Sequence, residues 1–470
     1  MADADAPPEL TPEQAAATMA SRSFVALLLI VSVVGVVVSF ATWAFLQLVY
    51  QLQRELYTHL PNALGYDHGP PNWWPLPLLA IAGVIAAFAI TRLPGDGGHI
   101  PAKGLSAGGL LPRPLDLPGV LLAATAGLGF GIVLGPEAPL LAMGPGIAIL
   151  MIGLVRRDTP PSAVAIVAAA GAFAAISFLF ASPVIAAVLV IEATAIGGPR
   201  FQLVVVPGLL GAGIGTLLAI GLGSWTGLNR SHISLGPIQG LPAYAHPTIA
   251  QFGWTILLAL AIAVIAHLIL RGGLLTYRFA GPRPFVVLPI VGLLVAGFAI
   301  AFNAATGKGI NQVLFSGETG LPNLISQGAT WSGSALLLLI LFKGAAYSLS
   351  AGSFRGGPTF PAVFLGAAGG LLAARLPGFA LTPAVAVGMG AATAAVLRLP
   401  LSAIVLATLL TSPAGTGQEP LIIVGVVVAF LTVLGLAGAE SRRAARSGGG
   451  ASPAVDPGGA PAMAVGSHEP

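Results

Sequence analysis

The stretch from Phe24 to Tyr50 contains no charged residue, and it exceeds the roughly 20 apolar residues that a helix needs to cross the hydrocarbon core of a bilayer. A chain carrying such a run must hide it in lipid. The rest of the sequence agrees: 56% of residues are hydrophobic and 8% charged, against the roughly one quarter charged that soluble domains carry, and mean hydropathy is +0.92. The run is too long for the apolar core of a signal peptide, so it is expected to be retained. There is no cysteine, which excludes disulfides, thiolate metal sites and cysteine nucleophiles. The net charge of +4 is scattered and forms no basic patch with aromatics, so nucleic acid is not an expected partner.

Further apolar blocks follow at 75–91, 117–134, 163–180, 183–196, 203–222, 252–270, 285–302, 335–341, 361–374, 383–397, 401–410 and 421–436. Several are too short to cross alone, and many start or stop at Gly or Pro, the pattern of helices broken partway through a membrane. Gly135-Pro136-Glu137-Ala138-Pro139 followed by Gly144 matches Gly357-Pro358-Thr359-Phe360-Pro361 followed by Gly366, 222 positions on. Pro183, Ala186 and Leu189 match Pro400, Ala403 and Leu406 at an offset of 217, and Ile100 in Gly97–Pro101 matches Ile310 in Gly307–Asn311 at 210. Three collinear pairs imply duplication, and duplication with interrupted helices points to a midplane binding site. The fold class expected is all-α and polytopic, with two repeats at about 75–222 and 252–438 inside a membrane domain of 23–440. The tails 1–22 and 441–470, rich in Pro, Gly, Ala and Ser, are expected to be disordered. Arg442, Arg443 and Arg446 place the C-terminus in the cytoplasm, and Arg22 suggests the same for the N-terminus.

Gly-Pro-x-x-Pro ahead of an apolar run starts a helix: Pro suits the first turn and Gly permits the tight entry. Helix starts attract anions through free amide N–H groups and the positive dipole end. Glu137 and Glu192 are the acids deep in apolar sequence, where a carboxylate costs at least about 2.5 kcal/mol on insertion scales. Glu137 has two readings, a capping carboxylate satisfied by nearby N–H groups, or a removable plug that fills an anion site and leaves when protonated. Glu192 reads as structural, with an accessory role left open.

These segments resemble the CLC family of chloride channels and chloride/proton antiporters, whose members carry GSGIP, GREGP and GxFxP segments and a C-terminal pore tyrosine. Val133–Pro139 is similar to the second segment, Gly97–Pro101 to the first, and Gly352-Ser353 with Gly356–Pro361 to the third; the resemblance extends from Phe24 to Gly438. It implies a cell-membrane, multi-pass protein of prokaryotic type without regulatory domains. It also implies a homodimer of inverted repeats that passes chloride or a similar small anion, with protons as a second substrate in an exchanger and no cofactor. Glu137 becomes the gate. The anion contacts fall on Gly98, His99, Ile100, Pro101, Gly135, Ala138, Gly357, Thr359, Phe360 and Pro361.

The departures bear on mechanism. Gly98 stands where the family usually has an anion-touching serine, and His99 follows it as either a donor near the pathway or a satisfied loop residue. No tyrosine follows Tyr347, so the pore tyrosine has no counterpart. Pro358 has no N–H to donate, and Pro136 replaces the arginine beside the gating glutamate. Arg355 either compensates as a shifted guanidinium or makes ordinary contacts at a membrane face, and Lys343 reads as structural. Ala193 replaces the internal proton-transfer glutamate that coupled members commonly carry, which favours a passive channel over a coupled antiporter. An unrelated inverted-repeat transporter would not predict the Gly-Pro-Glu-x-Pro order. An enzyme is not expected, for there is no HExxH or phosphate loop, and no metal site is expected.

Overall fold

The computed structural model describes residues 11–67, 69–105, 112–155, 158–195, 197–198, 201–225 and 235–446. Helices account for nearly all of its regular structure, and among the described residues the one extended pairing is a bridge between Gly135 and Gly357. The first half holds α1 (Pro12–Met19), α2 (Arg22–Arg54), α3 (Leu60–Ala63), α4 (Pro75–Arg92), α5 (Leu117–Phe130), α6 (Glu137–Val155), α7 (Pro161–Phe180), α8 (Pro183–Thr194) and α9 (Phe201–Trp225). The second holds α10 (Ile249–Ala280), α11 (Pro284–Thr306), α12 (Leu321–Ser326), α13 (Gly333–Ser353), α14 (Thr359–Ala373), α15 (Leu381–Leu397), α16 (Pro400–Thr411) and α17 (Glu419–Arg446).

Nine described segments are long and apolar enough to cross a membrane, while α5, α8, α14, α15 and α16 are not. The 12 residues of α8 reach about 18 Å at 1.5 Å per residue, well short of the roughly 30 Å hydrocarbon core. Both short Pro-led helices begin in the same way. The chain leaves α7 through Ala181 in the left-handed region and α15 through Arg398 likewise, and Pro183 and Pro400 then start α8 and α16. A left-handed residue ends a helix, and a proline two positions later cannot continue it but readily opens the next.

The sequence repeat becomes a set of contacts across an approximate two-fold axis. Gly135 N–H donates to the Gly357 carbonyl at 2.7 Å, and Gly357 N–H donates back to Gly135 at 2.5 Å. An antiparallel bridge between matched residues is what a two-fold between the repeats produces. The matched helices α4 and α11 also pack together: a methyl on Gly83 would lie 2.6 Å from the Leu288 carbonyl carbon, and one on Gly292 2.6 Å from that of Leu79. Within the repeats, Gly144 crosses Gly171 and Gly366 crosses Gly388, each with 2.7 Å for a hypothetical methyl against the partner's carbonyl carbon. Small residues at such crossings let helices approach where no hydrophobic force separates lipid from protein.

Two boundaries move. Helix α2 packs on α5, α6, α7 and α9, while α10 packs on α13, α14, α15 and α17. Helix α2, which precedes the expected start of the first repeat at residue 75, thus has neighbours that correspond to those of α10. The tail at 1–22 is helical over Pro12–Met19, because Thr11 and Gln14 form a capping box, Pro12 sits in the first turn and Ala15 packs against Phe24 and Leu203. At the other end α17 continues to Arg446; residues 1–10 and 447–470 lie outside the described residues.

Candidate functional site

Two of the three Gly/Pro segments start helices of 15 or more residues, α6 at Glu137 and α14 at Thr359. The bridge between Gly135 and Gly357 fixes these two starts against each other, and Glu137 is completely buried between them. Its Oε1 accepts a hydrogen bond from the Thr359 amide, so a carboxylate from one repeat sits at the helix N-terminus of the other. The amides of Glu137 itself and of Phe360 also act on the carboxylate. The buried Thr359 hydroxyl also acts on the carboxylate, although neither it nor Oε2 meets the geometry of a full hydrogen bond.

Neither glycine of the bridge leaves space for a side chain. A methyl on Gly357 would overlap Glu137 Cδ and both carboxylate oxygens, and one on Gly135 would stand 3.0 Å from Cδ and 2.8 Å from Phe360 Cδ2. Phe360 stacks on Phe180 with ring centroids 5.5 Å apart, and Ala138 and Pro361 are buried beside it. The turn ahead of α14 is held from outside, since the buried Tyr347 hydroxyl donates to the Pro358 carbonyl at 2.7 Å. In the sequence Tyr347 marked only where tyrosines end; its bond to Pro358 shows in the fold alone.

Several residues expected from the sequence to contact an anion have other partners. The amides of Gly135 and Gly357 are spent on each other, so these residues shape the site by lacking a side chain. The segment from Gly97 to Pro101 opens only a three-residue 3-10 turn at Pro101–Lys103, preceded by Ile100 without a side-chain cap, and gives no long helix start. Gly98 has φ +95°, a conformation that disfavours a serine as it would any side chain. A ring nitrogen of His99 bonds the Gly104 carbonyl; because a carbonyl only accepts, that nitrogen carries the proton, and the neutral ring keeps no second donor for an anion. Burial pushes the His99 imidazole below its ordinary value, opposed by the Gly104 bond and aided by the charges of Arg355 and Lys103.

Arg355 is 7% exposed and lies at no membrane face. Its Nε donates to the Asp96 carbonyl at 3.2 Å and Nη1 to Ser353 at 3.3 Å, which ties the first segment to the third. Its hydrogen bonds go to backbone carbonyls and none goes to the Glu137 carboxylate. Glu192 accepts from the amides of Leu401 at 2.9 Å and Ser402 at 2.7 Å, and from the Ser402 hydroxyl at 2.6 Å. It caps α16 across the two-fold axis. The Lys343 ammonium is buried and donates to the carbonyls of Gln312, Val313, Leu314 and Phe315 at 3.1–3.2 Å.

The sequence model of the voltage-gated chloride channel family matches residues 106–434. The chain is a member of the CLC family. Among relatives of this CLC protein is YfeO of Escherichia coli (strain SE11), named for ion transport, 27% identical over 362 residues that cover 75% of this chain and 80% of YfeO. YfeO of Salmonella newport (strain SL254) is 27% identical over 364 residues, 75% of this chain and 81% of its own. Among solved structures the CLC fold here is similar to a slow cyanobacterial Cl-/H+ antiporter, with TM-score 0.70, 20% identity and coverage of 90% of this chain and 97% of that one. It is similar too to a CLC-type fluoride/proton antiporter, with TM-score 0.64, 20% identity, and 87% and 95% of the two chains covered.

Proposed function

We propose that this multi-pass membrane protein moves chloride or a similar small anion through a pathway gated by Glu137. The observation that carries this is the seat of its carboxylate: an anion of the protein itself occupies the start of α14, on the Thr359 amide. A group that fills an anion site can be exchanged for a free anion once it is protonated and swings away. The vacated site offers the Thr359 amide, the unpaired Thr359 hydroxyl and the dipole end of α14. That hydroxyl takes the part of the serine absent at Gly98. Because no full positive charge lines the seat, binding stays weak enough for release. As the family resemblance implies, the protein works as a homodimer with cytoplasmic termini.

Passive conduction is the reading we favour. Glu192 is consumed as the cap of α16, and Ala193 carries no proton. Proton-coupled exchange is the second reading, favoured by the antiporters among the solved relatives. The test is chloride efflux from potassium chloride-loaded liposomes in low chloride with valinomycin, with and without a proton ionophore, for wild type and Glu137→Ala. Efflux without linked proton movement, altered in rate by the substitution, is the expected result. Protons driven uphill by chloride decide for exchange, and no flux from verified, folded protein overturns the proposal.

A further inference from the structure

A second carboxylate stands near the gate. Glu318, half-buried, lines a recess of about 40 Å³ together with Pro136, the residue before Glu137. Tyr50, Gln53, Ser316 and Thr319 add polar atoms to its wall, and Thr319 is exposed at its rim. A water needs roughly 10–15 Å³ of such space and two or more polar partners, so the recess has room for water beside Pro136, the residue next to the gate carboxylate's own.

The loop that carries Glu318 is fixed from several sides. Lys343 binds four successive carbonyls at its base, and the Phe315 amide donates to the Gly131 carbonyl at 3.0 Å. The Phe315 ring meets Tyr57 edge-on at 5.0 Å, and Phe315 itself has φ +60°. A non-glycine residue held in the left-handed region persists only where its surroundings overdetermine it. The Glu318 amide donates to the Ser316 hydroxyl at 3.3 Å. Desolvation first, and then the charge of Glu137, push the Glu318 carboxyl up to about 8. The titratable groups around it are Glu137 from α6, Tyr50 and Tyr57 from α2 and the turn after it, and Lys343 from α13, whose ammonium is engaged by the loop carbonyls.

We propose that Glu318 is the proton-exchange partner of Glu137, receiving a proton from solvent at the recess and passing it through recess water to the gate carboxylate. The step conserves atoms and charge: Glu318 gains H⁺ from hydronium, releases it to water in the recess, and Glu137 takes it at a carboxylate oxygen and leaves the Thr359 amide. Glu318 then returns to its starting state. This inference rests on the gating role of Glu137.

The test is the pH profile of chloride efflux from liposomes for wild type, Glu318→Gln, Glu318→Asp, Glu137→Gln and the Glu137→Gln/Glu318→Gln double variant. Flux in wild type is expected to rise as pH falls. Glu318→Gln should move the midpoint down by about one pH unit, the scale of coupling at which two sites titrate together. Glu318→Asp should keep most of the wild-type midpoint, and Glu137→Gln should flatten the profile with no further change in the double variant. A structural role for Glu318 would scale flux at every pH and leave the midpoint in place, which overturns the inference. If Glu137→Gln itself keeps the wild-type profile, the gating reading beneath it fails instead.

Discussion

Replacing Gly357 by alanine removes the room in which the Glu137 carboxylate sits. The new methyl would fall on Cδ and both oxygens, closer than Cβ atoms approach any neighbour. Gly357 has no positive φ, so the backbone accepts alanine without strain, and the flexible Glu137 side chain yields. It then loses the Thr359 amide, a hydrogen bond to a charged group worth about 1.5–3 kcal/mol. At 1.4 kcal/mol per tenfold, the occupied-gate state should lose about 10- to 150-fold in population relative to the displaced one. Chloride efflux from liposomes at neutral pH should rise toward that of Glu137→Ala and lose its pH dependence, and Gly357→Ala should add little to Glu137→Ala in the double variant. Wild-type flux with a wild-type pH profile in folded Gly357→Ala would refute the reasoning.

Two further variants separate support from transport. Glu192→Ala removes the cap of α16; it should cost about 1–2 kcal/mol, seen as a lower melting temperature in detergent, while the pH profile of flux stays as in wild type. His99 is held below its ordinary value, so the folded state binds its proton less readily than the unfolded one. Its contribution to stability is full above about 6.5, the unperturbed histidine value, and is lost as pH falls below it. Melting temperatures from pH 8 to 5 should therefore fall less steeply in His99→Asn than in wild type.

Much of the architecture was legible because duplication leaves marks at fixed offsets. Gly135 and Gly357, 222 apart, proved to be hydrogen-bonded to each other, and Pro183 and Pro400, 217 apart, both follow a left-handed exit from the preceding helix. Glu137 stood out because a carboxylate in apolar sequence needs a reason. Its partner did not, since the Thr359 amide lies across the repeat and only the two-fold brings it near. Gly97–Pro101 carries the composition of a helix start, yet successive positive φ values at Gly95, Asp96, Gly97 and Gly98 spend the segment on a turn. Glu318 reads in sequence as one acid in a polar Gly317–Thr319 loop. Its neighbours come from α2, α5 and the gate segment, contacts that no local pattern encodes. Helix α1 was missed because a Pro-rich, acidic composition outweighed the Thr11–Gln14 capping signal.

The central claim is that the seat of the Glu137 carboxylate is an anion site. A crystal of Glu137→Gln grown in bromide, with anomalous diffraction at the bromine edge, locates bound anions directly. The account predicts bromide beside the Thr359 amide and hydroxyl at the start of α14, absent from wild type in the same salt. Bromide bound elsewhere in the protein with that position empty, or an anion there while Glu137 keeps its seat in wild type, would contradict it.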